Sequence, residues 1–280
     1  MKIGKYELIT VETGRFRLDG GAMFGVIPKP LWEISHPADE LNRIELVSRN
    51  LILKSDSKTI LVDTGIGQGW DEKFTRIYQV DHSEFALIES INKLGFKPED
   101  ITDVILTHLH FDHTGGSTKS ENGKIVPAFP KAKYFVQKKN FEWAMNPSDR
   151  DKGSYIKDNF EPLYEEGVLN LLSDDNFDDE IDFIVVNGHT FGQQLLKISD
   201  SKNTILYCGD LFPTTSHIPL PYVMGYDLQP LITITEKKKI LPAAVDENWK
   251  LFFEHDPETV LATVVNTDKG FKIGDKFDKL

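Results

Sequence analysis

The amino-acid sequence predicts an α/β protein, and three observations carry that expectation. Short apolar runs recur between turn residues, among them Ile60-Leu61-Val62, Val104-Ile105-Leu106, Phe183-Ile184-Val185-Val186 and Leu251-Phe252-Phe253, and they read as buried strands. Segments with apolar residues at helical spacing alternate with these runs. Finally, residues of metal-ligand type stand just past the strands: Asp63, the pair His108 and His110, then His189, Asp210 and His255. Ligands at the ends of several strands converge on one edge of a sheet layer, where a rigid scaffold can aim them.

Taken in order, Tyr6 to Val11 reads as a strand, Gly14 as a turn and Arg15 to Leu18 as its hairpin partner. The stretch from Gly20 to Trp32 is apolar, yet its glycines and prolines interrupt any long element. It reads either as a loop covering the core or as a pocket wall, with Met23, Phe24 and Trp32 as adaptable apolar surface for substrate. Ile44 to Leu53 and Thr59 to Val62 pair across a turn at 54–58. Phe85, Ile88, Ile91 and Leu94 define a helix with Ser83 as N-cap and Gly95 past its end. Tyr134 to Val136 is a strand, and a helix from Lys138 to Met145 stops before Pro147. Residues 148–158 read as an exposed insertion, 162–172 as a helix or irregular lid, and 174–180 as a solvated acidic turn. Gln194 to Ile198 and Thr204 to Cys208 are strands, Gln229 to Val245 a helix broken near Pro242, and Val260 to Val265 the closing strand. A single domain over 1–280 is expected.

Composition narrows the function. A chain of 280 residues buries enough surface to need no staples. Its net charge of −12 argues against nucleic acid and against an anionic membrane as partners, leaving a small-molecule substrate. Cys208, the single cysteine, excludes an internal disulfide and fits a reducing compartment. The first residues contain no apolar signal segment, and no run reaches membrane-spanning length, so a cytoplasmic location is expected. Composition leaves the oligomeric state open, with a homodimer as one option.

The densest chemistry lies in Thr107-His108-Leu109-His110-Phe111-Asp112-His113-Thr114-Gly115-Gly116. Three of the eight histidines stand here with a carboxylate, directly after an apolar strand. In extended backbone His108 and His110 face the same side and can share one metal. Asp112 and His113 leave the following turn in other directions and suggest a second metal. Gly115 and Gly116 would let the backbone pass close to the ions. Asp63 ends a buried strand and needs a partner, either as a turn residue or as acceptor for a ligating imidazole.

These motifs, with Gly188-His189-Thr190, Gly209-Asp210, Glu254-His255 and Asp63-Thr64-Gly65, resemble the metallo-β-lactamase superfamily. The resemblance implies an αββα sandwich, two mixed sheets flanked by helices with metals at one edge. It also implies two zinc ions, with iron or manganese as alternatives. His108, His110 and His189 would hold the first, Asp112, His113 and His255 the second, and Asp210 would bridge them. A bridging hydroxide would then be the nucleophile. The short tail after His255 differs from the glyoxalase II branch, and Asp210 differs from the true β-lactamases. The N-acyl-homoserine lactonase branch is nearest, so a carboxylic ester or lactone is the expected substrate. Organophosphate or phosphodiester hydrolysis on the same two metals is the alternative. That branch would place a tyrosine where this chain has Pro213. His217 as proton donor and Tyr222 as an oxyanion-orienting phenol are the substitutes at hand, and Asp112 is the alternative proton carrier.

Overall fold

In this computed structural model, which describes residues 1–81, 83, 86–173 and 176–280, the strands that precede the candidate ligands lie in two mixed sheets, and within each sheet they run the same way. The strands are β1 (Lys2–Ile3), β2 (Tyr6–Asp19), β3 (Arg43–Lys54), β4 (Thr59–Val62), β5 (Asp103–Ile105), β6 (Thr118–Glu121), β7 (Lys124–Pro127), β8 (Lys133–Gln137), β9 (Leu169–Leu172), β10 (Ile181–Val186), β11 (Gln193–Ser199), β12 (Thr204–Tyr207), β13 (Lys250–Phe252), β14 (Leu261–Thr267) and β15 (Gly270–Phe277). The helices are α1 (Gly20–Phe24), α2 (Lys29–Trp32), α3 (Glu72–Tyr78), α4 (Leu87–Lys93), α5 (Phe111–Thr114), α6 (Lys138–Met145), α7 (Glu161–Glu165) and α8 (Pro230–Asp246). Among the described residues no helix is long and apolar enough to cross a membrane.

The chain packs as two compact units, Met1–Arg15 with Ser48–Asp174, and Phe16–Val47 with Asp175–Leu280. The first carries a mixed sheet in the order β1-β2-β3-β4-β5-β8-β9. Parallel pairing matches Val62 to Ile105 and Ile105 to Phe135, so the chain leaves β4 and β5 at one edge. That edge receives Asp63 and the histidine motif. The core beneath joins Leu61, Val104, Tyr134 and Val136 to Ile91 of α4 and to Phe141 and Ala144 of α6. Complete burial of Ile60-Leu61-Val62 and Val104-Ile105-Leu106 explains why these strands are apolar without alternation.

The second unit carries a mixed sheet in the order β10-β11-β12-β13-β14-β15. β10 and β12 are both antiparallel to β11, and β12 is parallel to β13. β10, β12 and β13 therefore run the same way and release His189, Asp210 and His255 at a common edge. Leu195, Leu206 and Leu251 of this sheet pack with Ile240, Leu241 and Ala244 of α8.

Several elements differ from the sequence reading. Gly14 stays inside the long β2 and makes no hairpin. The interrupted segment 20–32 forms α1 and α2 rather than a loop. α4 begins at Leu87 with Ala86 at its N-cap position, not Ser83, while Phe85 lies outside the described residues, as do Asp174 and Asp175. Residues 162–172 divide into α7 and the edge strand β9, and β15 was not foreseen. α8 continues through Pro242. Pro242 and Lys238 both belong to exposed positions, where the carbonyl that loses its helical donor is open to water.

Candidate metal centre

In the first unit the motif after β5 is held by Asp63, which adopts a left-handed backbone (φ 53°) that Asp tolerates better than most residues. Its Oδ1 accepts from the Thr107 amide at 2.7 Å. Its Oδ2 accepts from the Thr107 hydroxyl at 2.7 Å and from His113 Nδ1 at 3.1 Å. This is the acceptor role expected for Asp63. A carboxylate only accepts, so His113 carries its proton on Nδ1 and keeps a lone pair on Nε2, 3.9 Å from Asp112 Oδ2. The Thr107 proton is likewise committed, so its oxygen accepts from His108 Nδ1 at 3.1 Å and leaves the lone pair of His108 on Nε2. That nitrogen lies 3.0 Å from His110 Nδ1, as required of two donors to one ion. Asn140 of α6 fixes the loop by accepting from the Leu109 amide at 3.0 Å.

The motif glycines Gly115 and Gly116 pack closely against neighbouring backbone. A Cβ on Gly115 would lie 2.0 Å from the Ile66 carbonyl oxygen, and one on Gly116 2.6 Å from that of Thr64. They admit the backbone from Thr64 to Gly67 at close range, and the Gly115 amide donates to the Gly65 carbonyl at 2.9 Å.

The second unit repeats the logic. Asp227 Oδ1 accepts from His189 Nδ1 at 3.0 Å, and Thr233 of α8 donates to Asp227 Oδ2 at 3.0 Å. The Val47 carbonyl accepts from His255 Nδ1 at 2.9 Å. Both rings therefore turn Nε2 lone pairs inward, each 3.3 Å from a different oxygen of Asp210. A lone pair facing an anionic oxygen is repelled unless a cation lies between them. This donor set therefore fits divalent ions, and each unit carries its own buried cluster of His and Asp ligands.

The remaining expected residues are placed differently. Met23, Phe24 and Trp32 are buried, and Phe24 stacks on Trp32 (5.4 Å between centroids) and on His217 (4.9 Å). Their size and apolarity are used for packing, so they are not a substrate-facing surface. Tyr222 is half-buried and lines a cavity of 230 Å³ with Leu31, Ser35, Thr215 and Ser216. His217 does not suit proton donation. Its Nε2 lies 2.9 Å from the Met23 carbonyl and must donate there, while its Nδ1 takes the Thr214 hydroxyl at 2.8 Å. Burial pushes its pKa down to about 3, against the Met23 hydrogen bond, so the ring is neutral and committed at both nitrogens.

Sequence reasoning missed Asp227, whose partner is 38 residues upstream. It also missed Tyr155, which anchors the supposed exposed insertion with its ring 4.8 Å from that of His110. Tyr78 of α3 is held protonated by burial, with the charge of Asp112 adding to the effect.

Strand-end histidines with fixed tautomers and buried carboxylates define a metal-dependent hydrolase, and comparison with known proteins agrees. The family model for the metallo-beta-lactamase superfamily matches residues 46–255, and the chain belongs to that superfamily. It is 26% identical over 239 residues to the N-acyl homoserine lactonase AttM of Agrobacterium fabrum, covering 83% of each chain. A probable metal-dependent hydrolase from Staphylococcus aureus superposes with a TM-score of 0.90 at 31% identity, over 100% of this chain and 99% of that one. The dizinc quorum-quenching lactonase AidC shares the fold, with a TM-score of 0.82 at 23% identity over 99% and 96%.

Proposed function

We propose that the protein binds two divalent ions and hydrolyses a carboxylic ester, above all a lactone. The proposed ligands are His108, His110 and His189 for one ion and Asp112, His113 and His255 for the other, with Asp210 shared. The observation that carries this reading is Asp210 itself, with one imidazole nitrogen facing each oxygen at 3.3 Å. Zinc is the proposed metal, and iron or manganese would suit the same donors. When bound, such a pair supplies Lewis acidity to the ester carbonyl and acidifies a water to near neutral pH.

The chain's own residues orient the ligands and move protons. Asp63 and Asp227 hold His113 and His189 in the ligating tautomer. Asp112 is the proposed proton carrier from the attacking water to the departing alkoxide, because the one proton of the neutral His217 ring is committed to the Met23 carbonyl. Tyr222, on the rim of its cavity, is the proposed substrate contact. The lactonase relatives at about a quarter identity favour an ester over a phosphoester. A small-molecule substrate and a cytoplasmic setting complete the proposal, consistent with the acidic charge and the lone buried thiol.

A turnover screen of zinc-loaded protein against lactones, aryl esters, phosphotriesters and a β-lactam, with elemental analysis, tests the reading. Two ions per chain and fastest turnover of lactones are expected. One ion per chain, or a phosphotriester turned over faster than any ester, would overturn it.

A further inference from the structure

We propose that Glu236 of α8 is a positioning residue that sets His189 for metal binding, an inference that rests on the two-ion reading above. The turn that presents His189 has all its backbone groups at 187 and 188 answered from one short stretch. The Asn187 amide donates to Glu236 Oε1 at 2.6 Å, and the Gly188 amide donates to Oε2 at 3.0 Å. The Asn187 carbonyl accepts from Gln229 Nε2 at 3.1 Å, and the Gly188 carbonyl accepts from the Gln229 amide at 2.8 Å. Close approach completes the lock, since a Cβ on Gly188 would lie 2.4 Å from the Thr233 nitrogen and 2.6 Å from its Cα.

The ring of His189 is referenced to the same helix, through Asp227 and the Thr233 hydroxyl. Backbone and imidazole are thus both measured from the first two turns of α8. Two consecutive amides point the same way and need two acceptors side by side, which only a carboxylate supplies. A glutamine of the same shape would set an NH₂ group against one of the amides. Burial, together with the nearby charge of Asp227, pushes the Glu236 carboxyl above the ordinary carboxylate range, while the two amides pull the other way. The amides are therefore what keep the anion in place.

The test is Glu236→Gln, with Thr235→Val as a control on the same helix whose hydroxyl bonds only within it, to the Leu231 carbonyl. Zinc affinities of both sites are measured by chelator competition, and the metal-free proteins are melted. The expected result is a loss of about tenfold at one site, the other within about twofold, and an unchanged melting temperature. Thr235→Val should match the wild type. Unchanged affinities at both sites would overturn the proposal. So would equal losses at both with a fallen melting temperature, because that marks a merely structural helix contact. A wild type holding fewer than two ions would sink the two-ion reading itself, and the wild-type arm reports that separately. Should Glu236→Gln fail to fold, Gln229→Met interrogates the same turn from its carbonyl side, with the same site-selective loss expected.

Discussion

Replacing Lys237 by Met keeps an unbranched chain of similar length and removes a buried ammonium. In the native protein this lysine lies on the core face of α8 with Thr233, Ile240, Leu241 and Ala244. Its Nζ donates to the carbonyls of His217, Pro219 and Tyr222 at 2.5, 2.8 and 3.0 Å. Burial pushes it down from 10.5 to about 7, with Asp227 pulling the other way. That fall corresponds to about 5 kcal/mol against the charged form. The unfolded chain holds this proton up to about 10.5 and the folded chain only up to about 7. Between those pH values the unfolded state binds more protons, so the contribution of Lys237 to stability rises with pH and is least below about 7. The Met variant lacks this slope. Urea unfolding at pH 7 and pH 9 should show wild-type stability gaining about 2 kcal/mol on the variant. At pH 7 the variant leaves the His217 and Tyr222 carbonyls unanswered, at about 1–3 kcal/mol each, while the Pro219 carbonyl keeps the Tyr222 amide at 3.0 Å, so the loss roughly offsets the relief from no longer burying a charge. A difference that stays flat or shrinks from pH 7 to 9 would refute the reasoning. It would mean that the three carbonyls hold the ammonium charged throughout.

Other outcomes can be stated more briefly. Asp210→Ala should reduce the metal content of purified protein below two per chain by elemental analysis, because each Asp210 oxygen faces a different imidazole. Gly115→Ala should cost about 3 kcal/mol in thermal or urea unfolding, since its Cβ would lie 2.0 Å from the Ile66 carbonyl. His217→Ala should destabilise by about 3 kcal/mol through loss of the ring stacked on Phe24, and should slow good and poor leaving groups alike. A selective loss on poor leaving groups with stability retained would restore His217 as the proton donor.

The candidate ligands were legible because residues able to hold a metal, most of them the rare histidines, stand at or just past the ends of apolar strands. Parallel register turns that sequence position into a shared edge, as with Val62 and Ile105 or Tyr207 and Phe252. Asp63 was legible for the related reason that a carboxylate beside a buried strand needs a partner. Asp227 was not, because it sits in a loop and meets His189 only through the tertiary fold. Lys237 was hidden in Glu236-Lys237-Lys238-Lys239, which looks like a solvated face. Helical spacing from Thr233 to Leu241 puts only one of those lysines inward. The Met23, Phe24 and Trp32 segment was ambiguous because core and pocket wall draw on the same apolar residues. Stacking on a neutral His217 is what separates the two, and no local pattern encodes it.

The division between what strands place and what distant acceptors orient can be tested at Asp63. Asparagine there is nearly isosteric and tolerates the left-handed backbone, so Asp63→Asn should fold. Its oxygen can still accept from the Thr107 amide, as Oδ1 does now at 2.7 Å. Its NH₂ group would then face His113 Nδ1 and the Thr107 hydroxyl, where Oδ2 accepts from both. An NH₂ donor forces His113 Nδ1 to accept, which moves the ring proton to Nε2, the nitrogen a metal would need. The expected result is a metal-free protein within about 1 kcal/mol of wild type that binds the ion held by His113 about 10–100-fold more weakly. The imidazole ¹⁵N shifts of the metal-free variant should report the changed tautomer directly. Wild-type affinity together with a proton still on Nδ1 would show that strand-end placement alone prepares the ligand, and that the carboxylate serves only the turn.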